Sequence, residues 1–248
     1  MYNVDILLSN DDGYGAEGIE ILASCLRKDH NVWIVAPDGN RSGFSNAMNL
    51  NKELQLKKIK ENEYTLSGTP TDCVMAAFKG NFLPKKPDLV VSGINRGGNL
   101  GSDIIYSGTC GAARQAALYG VPGIALSVEF YNGAIKYEAL AEYASASIAE
   151  LHSMIDKEKI FDRGNSLKYF LNINALALDS YKGCKAASVS ERIYGDKLVT
   201  RTDKDGNIFT SLVGTDGFDT VGKGDFDVSV IEDGYISISK ISTLPECL

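Results

Sequence analysis

Apolar residues in this chain come in short continuous runs, divided by polar turns and by segments whose apolar positions recur every three or four residues. Val4–Ser9 (VDILLS), Val32–Ala36 (VWIVA), Leu89–Ser92 (LVVS), Gly123–Ser127 and Tyr169–Asn174 (YFLNIN) are the runs. Short apolar runs bounded by turn residues predict strands buried on both faces. Between them, Ile19, Leu22 and Leu26 share one helical face. A second helix opens at Gly68-Thr69-Pro70-Thr71-Asp72, where a proline suits the first helical position. A small-residue helix runs from Thr109 to Tyr119 and stops at Gly120, and a long helix covers 136–156. This alternation predicts an α/β fold with a doubly wound, mostly parallel sheet. Residues 40–63 are polar and irregular, which predicts a loop with short strands.

The pattern changes after residue 180. Lys197–Val213 alternates about Asp205-Gly206-Asn207 and Asp227–Ile241 about Glu232-Asp233-Gly234, predicting two hairpins. The chain therefore divides into a core over 1–180 and a hairpin-rich C-terminal extension over 181–248. That extension is either an oligomer contact, giving a homodimer or homotetramer, or an edge that partly rejoins the core sheet.

Composition narrows the function. The 248 residues carry 25 Lys and Arg against 32 Asp and Glu, so a net charge of -7 argues against a nucleic-acid polymer as partner. No apolar run reaches membrane-spanning length, and Met1–Leu8 has no basic leader pattern. The five cysteines, Cys25, Cys73, Cys110, Cys184 and Cys247, are scattered without a CxxC pair and read as free thiols of a reducing compartment, the cytoplasm. With only His30 and His152 available, a histidine-cluster mechanism is nearly excluded.

Open parallel sheets bind ligands beyond the carboxyl ends of their strands. Polar residues collect there: Asn10-Asp11-Asp12 after the first strand, Asp38–Ser42 after the second, Asn95 after LVVSG. Gly13-Tyr-Gly-Ala-Glu-Gly18 matches a dinucleotide fingerprint, with Asp38 placed like a ribose-binding acid. Asp11 and Asp12 would repel a pyrophosphate at that helix start unless a cation lay between, so the match is read as a decoy. The adjacent carboxylates, the Ser42 hydroxyl and the Asn95 amide oxygen are hard oxygen donors suited to Mg²⁺, Mn²⁺ or Ca²⁺. Taken alone, Asp11 and Asp12 could equally cap the first helix, and Asp72 reads as a cap. The glycine-rich stretch Ser92–Gly101, leading to Tyr106-Ser107-Gly108-Thr109 at a helix start, outlines a phosphate site or a capped turn.

Five ordered blocks resemble the signatures of the SurE family: Leu8–Ile19 (LSNDDGYGAEGI), Ala36–Gly43 (APDGNRSG), Gly68–Val74 (GTPTDCV), Ser92–Gly101 (SGINRGGNLG) and Tyr106–Thr109 (YSGT). The resemblance covers about residues 4–130, with a weaker echo in Phe170–Asn174 and Gly234–Ser239. It implies a Rossmann-like core with C-terminal hairpins that make dimer and tetramer contacts. It also implies a metal-dependent phosphatase acting on nucleoside 5′- and 3′-monophosphates, with polyphosphate trimming in some members. Carried over block by block, Asp11, Asp12, Ser42 and Asn95 would hold one divalent ion (Mg²⁺ or Mn²⁺) per subunit. Asn99 would join Asp11 and Asp12 in catalysis, and Asn95, Ser107, Gly108 and Thr109 would contact phosphate. Of the two aspartates Asp11 is the preferred base, because its fellow ligands leave a water beside it. Ala175 and Ser239-Lys240 depart from the family's Pro and Thr-Pro, in the region of C-terminal contacts. The rival reading is a non-catalytic, metal-dependent nucleotide-binding protein.

Overall fold

The computed structural model describes residues 3–155, 159–214 and 218–245; Cys247 lies outside them. The chain runs β1 (Asp5–Ser9), α1 (Glu17–Leu26), β2 (Asn31–Pro37), β3 (Leu56–Lys60), β4 (Glu63–Leu66), α2 (Pro70–Lys79) and β5 (Leu89–Arg96). A 3-10 turn at Gly101–Ile105 precedes α3 (Gly108–Leu118), β6 (Gly123–Glu129), α4 (Glu138–Ala146), α5 (Ile148–Met154) and β7 (Tyr169–Leu176). The C-terminal part holds β8 (Cys184–Ala186), β9 (Glu191–Tyr194), β10 (Lys197–Thr202), β11 (Ile208–Val213), β12 (Phe218–Val221), α6 (Asp227–Glu232) and β13 (Ile236–Ser242).

The main sheet has the order β3-β4-β2-β1-β5-β6-β7-β13-β8. Pairing is parallel from β4 through β7, while β3 and β13 each run antiparallel to an inner neighbour. The order reverses about β1 and β5, so the crevice above them is the topological switch point. Period-two alternation sends Ile6, Leu8, Ile34, Leu89 and Val91 to one core, with Ile19 and Leu22 of α1 and Leu140 of α4. Leu7, Val35 and Val90 face the opposite layer, against Val74 and Ala77 of α2 and Ala112 and Ala116 of α3. Both faces of the central strands are thus covered, as their continuous apolar runs require.

Local chemistry sets the element ends. α2 begins in a capping box: Asp72 N–H donates to Thr69 Oγ1 at 3.1 Å and Thr69 N–H donates to Asp72 Oδ2 at 2.9 Å. Asp72 also accepts from Asn49 Nδ2 at 2.7 Å, which ties the 40–55 loop to the helix.

Two sequence expectations need correction. The helix expected over 136–156 is two helices, with Ser147 at φ −103°, ψ 7° between α4 and α5. The hairpin expected over Asp227–Ile241 is the helix α6 followed by β13. Val228 and Ile231, three apart, pack as one helical face on Leu100 and Leu176, and β13 pairs with β7 from Ser237↔Asn174 to Ser242↔Tyr169. The hairpin over Lys197–Val213 is present as β10–β11, and every residue of both strands is exposed. Residues after 180 therefore split between the main sheet (β8, β13) and two short ribbons, β10–β11 and β9–β12. Among the described residues no helix is long and apolar enough to cross a membrane.

Candidate active site

The crevice at the switch point opens into a cavity of about 700 Å³ lined by Asp11, Ser42, Asn95, Arg96, Asn99 and Ser107 together with Tyr106, Tyr194, Asp196 and Leu212. Its floor is built from turns that follow β1, β2 and β5.

The β1 turn is closed by Asn10, whose Oδ1 accepts from Gly13 N–H at 3.2 Å and whose Nδ2 donates to Gly13 O at 2.9 Å. That Asx-type closure orients the two aspartates between. Asp11 is buried, and Arg41 N–H donates to its carbonyl at 2.6 Å, drawing the β2 turn and Ser42 alongside. Thr109 Oγ1 donates to Asp11 Oδ1 at 2.6 Å. Gly108 is the residue that permits this approach: a Cβ there would lie 2.9 Å from Asp11 Cβ. Asp12 Oδ2 accepts from Arg96 N–H at 3.1 Å, which anchors it to the end of β5.

Burial pushes the Asp11 carboxyl up to about 6; the Thr109 hydrogen bond opposes this and the Asp12 charge adds to it. Asp12 is also raised by burial, against the opposing effect of Arg96. Among the described residues neither carboxylate takes an ion pair, and no group of three or more His, Cys, Asp or Glu side chains is placed to hold a metal ion by itself. Two partly desolvated carboxylates with no ion pair among the described residues, next to neutral oxygen donors, fit a hard divalent cation. Asn95 suits that set: its Nδ2 donates to Gly97 O at 2.8 Å, leaving Oδ1 as its acceptor. The residue sits on β5 itself, because the strand continues to Arg96 after a register shift between Ser92 and Asn95.

The residues expected at phosphate divide. Ser107 lines the cavity and caps α3, accepting from Cys110 N–H at 3.1 Å. Asn99 lines the cavity too, with Nδ2 donating to Ser127 Oγ at 2.8 Å. Thr109 is fully buried and its hydroxyl is spent on Asp11, while Gly108 supplies clearance for that same carboxylate. Both act on Asp11 in this arrangement rather than presenting a side chain to the cavity. In the decoy fingerprint, Gly18 is required for packing, since a Cβ would fall 2.0 Å from Ile94 O, and Asp38 is paired with Arg41 at 2.6 Å.

Sequence reasoning passed over the residues that hold Asn99. Asn174 Oδ1 accepts from Asn99 N–H at 2.8 Å, while Asn172 Nδ2 and Asn174 Nδ2 donate to Asn99 O at 2.8 and 3.1 Å. The available signal was two asparagines at alternate positions of an otherwise apolar strand, where burial demands partners. Arg192, Asp103 and Tyr194, which tie the C-terminal segment to the cavity rim, gave no such signal.

Comparison with known proteins shows the family. The family profile described as "Survival protein SurE" matches residues 6–196. The chain is 38% identical over 237 residues to "5'/3'-nucleotidase SurE" of Photorhabdus laumondii, covering 95% of this chain and 89% of that protein. It is 39% identical over 240 residues to "5'-nucleotidase SurE" of Actinobacillus succinogenes, covering 96% and 92%. The fold matches the crystal structure of the SurE protein from Aquifex aeolicus with a TM-score of 0.79 and 31% identity, over 98% of this chain and 94% of that one. With four of the five sequence blocks lining one crevice and a family profile spanning most of its length, the chain belongs to the SurE family.

Proposed function

We propose that this chain hydrolyses nucleoside 5′- and 3′-monophosphates to nucleoside and phosphate with the aid of one divalent ion. The observation that carries the reading is the meeting of Asp11, Ser42, Asn95, Asn99 and Ser107 in the lining of a cavity large enough for a nucleotide, in a chain similar to named nucleotidases. Asp11, Asp12, Ser42 and Asn95 would hold Mg²⁺ or Mn²⁺. The ion, when bound, polarises a phosphoryl oxygen and lowers the pKa of water.

The remaining work falls to the chain. Ser107 and Asn99 offer hydrogen-bonding groups to phosphoryl oxygens, and the first turn of α3 favours their negative charge. Asp11 has one oxygen committed to Thr109 and keeps Oδ2 to take the proton of the attacking water. A new P–O bond then forms as the bond to the nucleoside oxygen breaks, and the proton taken up by Asp11 passes to that leaving oxygen. Tyr106, Tyr194 and Leu212, which line the same cavity, provide apolar surface for the nucleoside.

Release of phosphate from AMP, measured with Mn²⁺ and again with excess chelator, tests the reading. Turnover that chelator abolishes is expected. Tight, metal-dependent AMP binding without phosphate release would instead establish the non-catalytic alternative.

Assembly belongs to the same proposal. The β10–β11 ribbon exposes Leu198, Val199, Ile208, Phe209, Leu212 and Val213. An apolar two-stranded ribbon standing alone in water is marginal and invites burial by another copy. A homodimer or homotetramer through residues after 180 is expected in sedimentation; a 26.7 kDa monomer at micromolar concentration would refute it.

A further inference from the structure

We propose that Arg192 is a positioning residue for this reaction: its guanidinium bridges Asp103 and Glu129, offsets part of their negative charge and thereby lets the loop from Gly97 to Ser107 receive a phosphate dianion. This rests on the nucleotidase reading and adds to it a residue from outside the matched blocks.

The geometry is specific. Arg192, on β9, is buried to 5% side-chain exposure, donating from Nη1 to Asp103 Oδ2 and from Nη2 to Glu129 Oε2, each at 2.8 Å. Tyr194 OH adds a bond of 2.7 Å to the same Asp103 oxygen. The two carboxylates flank the loop. Glu129 Oε2 would lie 3.0 Å from a Cβ on Gly98, beside Asn99. Asp103 lies in the 3-10 turn, and its carbonyl accepts from Ser107 N–H at 3.1 Å. One planar fork therefore spans both ends of the segment that carries Asn99 and Ser107, a task for which arginine is suited and lysine is not.

The backbone of the same segment is tied to the C-terminal part a second time. Asp227, fully buried, accepts from Gly101 N–H at 2.8 Å through Oδ2 and from Ser190 Oγ at 2.6 Å through Oδ1. Ser102 Oγ donates to Arg192 O at 3.1 Å.

Charge makes the consequence functional rather than merely structural. Among the described residues lining the cavity, Arg96 is the one cation against Asp11, Asp103 and Asp196. Removing the Arg192 guanidinium would leave Asp103 and Glu129 uncompensated near the place a dianion must occupy. Like charges in a partly desolvated site oppose binding strongly.

The test is steady-state hydrolysis of AMP by the full chain and by Arg192→Met, Arg192→Lys and the triple variant Arg192→Met/Asp103→Asn/Glu129→Gln, with thermal melts alongside. Arg192→Met is expected to raise KM at least about tenfold, more at low salt than at high. The triple variant should recover most of that loss, and competitive inhibition by adenosine, which carries no phosphate, should be unchanged. Arg192→Lys, which keeps charge but reaches one carboxylate, should raise KM by about threefold. A KM within about twofold of wild type in Arg192→Met, or a triple variant as impaired as the single one, would overturn the proposal. If Arg192→Met fails to melt cooperatively, the lysine variant decides, and a wild-type KM there is equally fatal. Should the wild type release no phosphate from any nucleoside monophosphate, the nucleotidase reading fails first; calorimetric binding of AMP by the same variants then tests the charge role on its own, with unchanged affinity refuting it.

Discussion

Thr109→Val removes one hydroxyl from a fully buried position and leaves a side chain of nearly the same shape. In the wild type that hydroxyl donates to Asp11 Oδ1 at 2.6 Å and opposes the effect of burial, which holds the carboxyl at about 6 in the metal-free protein. A hydrogen bond to a charged group contributes about 1.5–3 kcal/mol. At 1.36 kcal/mol per pKa unit, its loss raises Asp11 by about 1–2 units more. The sign for stability follows from linkage. Asp11 is raised above its ordinary value of 3.8, so its favourable contribution is complete below pH 3.8 and is lost as pH rises through about 6. In the metal-free wild type that loss amounts to about 3 kcal/mol between those limits. In Thr109→Val it continues to higher pH, so calorimetric melts of the metal-free variant should fall further behind wild type between pH 6 and 8. Since a ligand carboxyl must be deprotonated to bind a cation, the acid limb of kcat/KM for AMP should move up by the same 1–2 units, roughly. Thr109→Ser, which keeps the hydroxyl, should restore the wild-type limb. An acid limb that stays in place in Thr109→Val, with the melts unchanged across pH, would refute the role assigned to this contact.

Two further substitutions probe the frame of the site. Gly108→Ala places a methyl 2.9 Å from Asp11 Cβ, so turnover should drop by about tenfold or more while the melting temperature changes little; near-wild-type turnover would show that Asp11 need not hold its place. Asn174→Leu strands the buried Asn99 N–H, costing about 1–3 kcal/mol, and each kcal/mol should lower the melting temperature by about 2–4 °C. Phosphate release should fall in parallel, and an unchanged melt would mean that Asn99 finds another acceptor.

Much of this molecule is legible along the chain because its signals are local. Five short apolar runs mark the parallel strands, since a strand covered on both faces has no polar side to alternate with. Turn residues at strand ends mark the crevice, and the paired aspartates argue against the dinucleotide match, because charge repulsion needs no coordinates. The hairpin over Lys197–Val213 follows from period-two spacing about a tight turn. The same reasoning misread Asp227–Ile241. Val228, Val230 and Ile231 satisfy both periods over so short a stretch, and the choice of helix came from Leu100 and Leu176, residues distant in sequence.

What the tertiary structure alone decided is which polar groups meet. The fate of the Thr109 hydroxyl, turned to Asp11 rather than to the cavity, depends on how close α3 comes to the β1 turn, which Gly108 permits. Asn172 and Asn174 acquire their task only when β7 lies across β6 from the loop bearing Asn99. Arg192 reaches Asp103 and Glu129 from 89 and 63 residues away along the chain. Strand periods and caps are set by neighbours a few residues apart, whereas a buried hydrogen bond or ion pair is set by the partner that burial leaves within reach. Nothing in the local pattern names that partner.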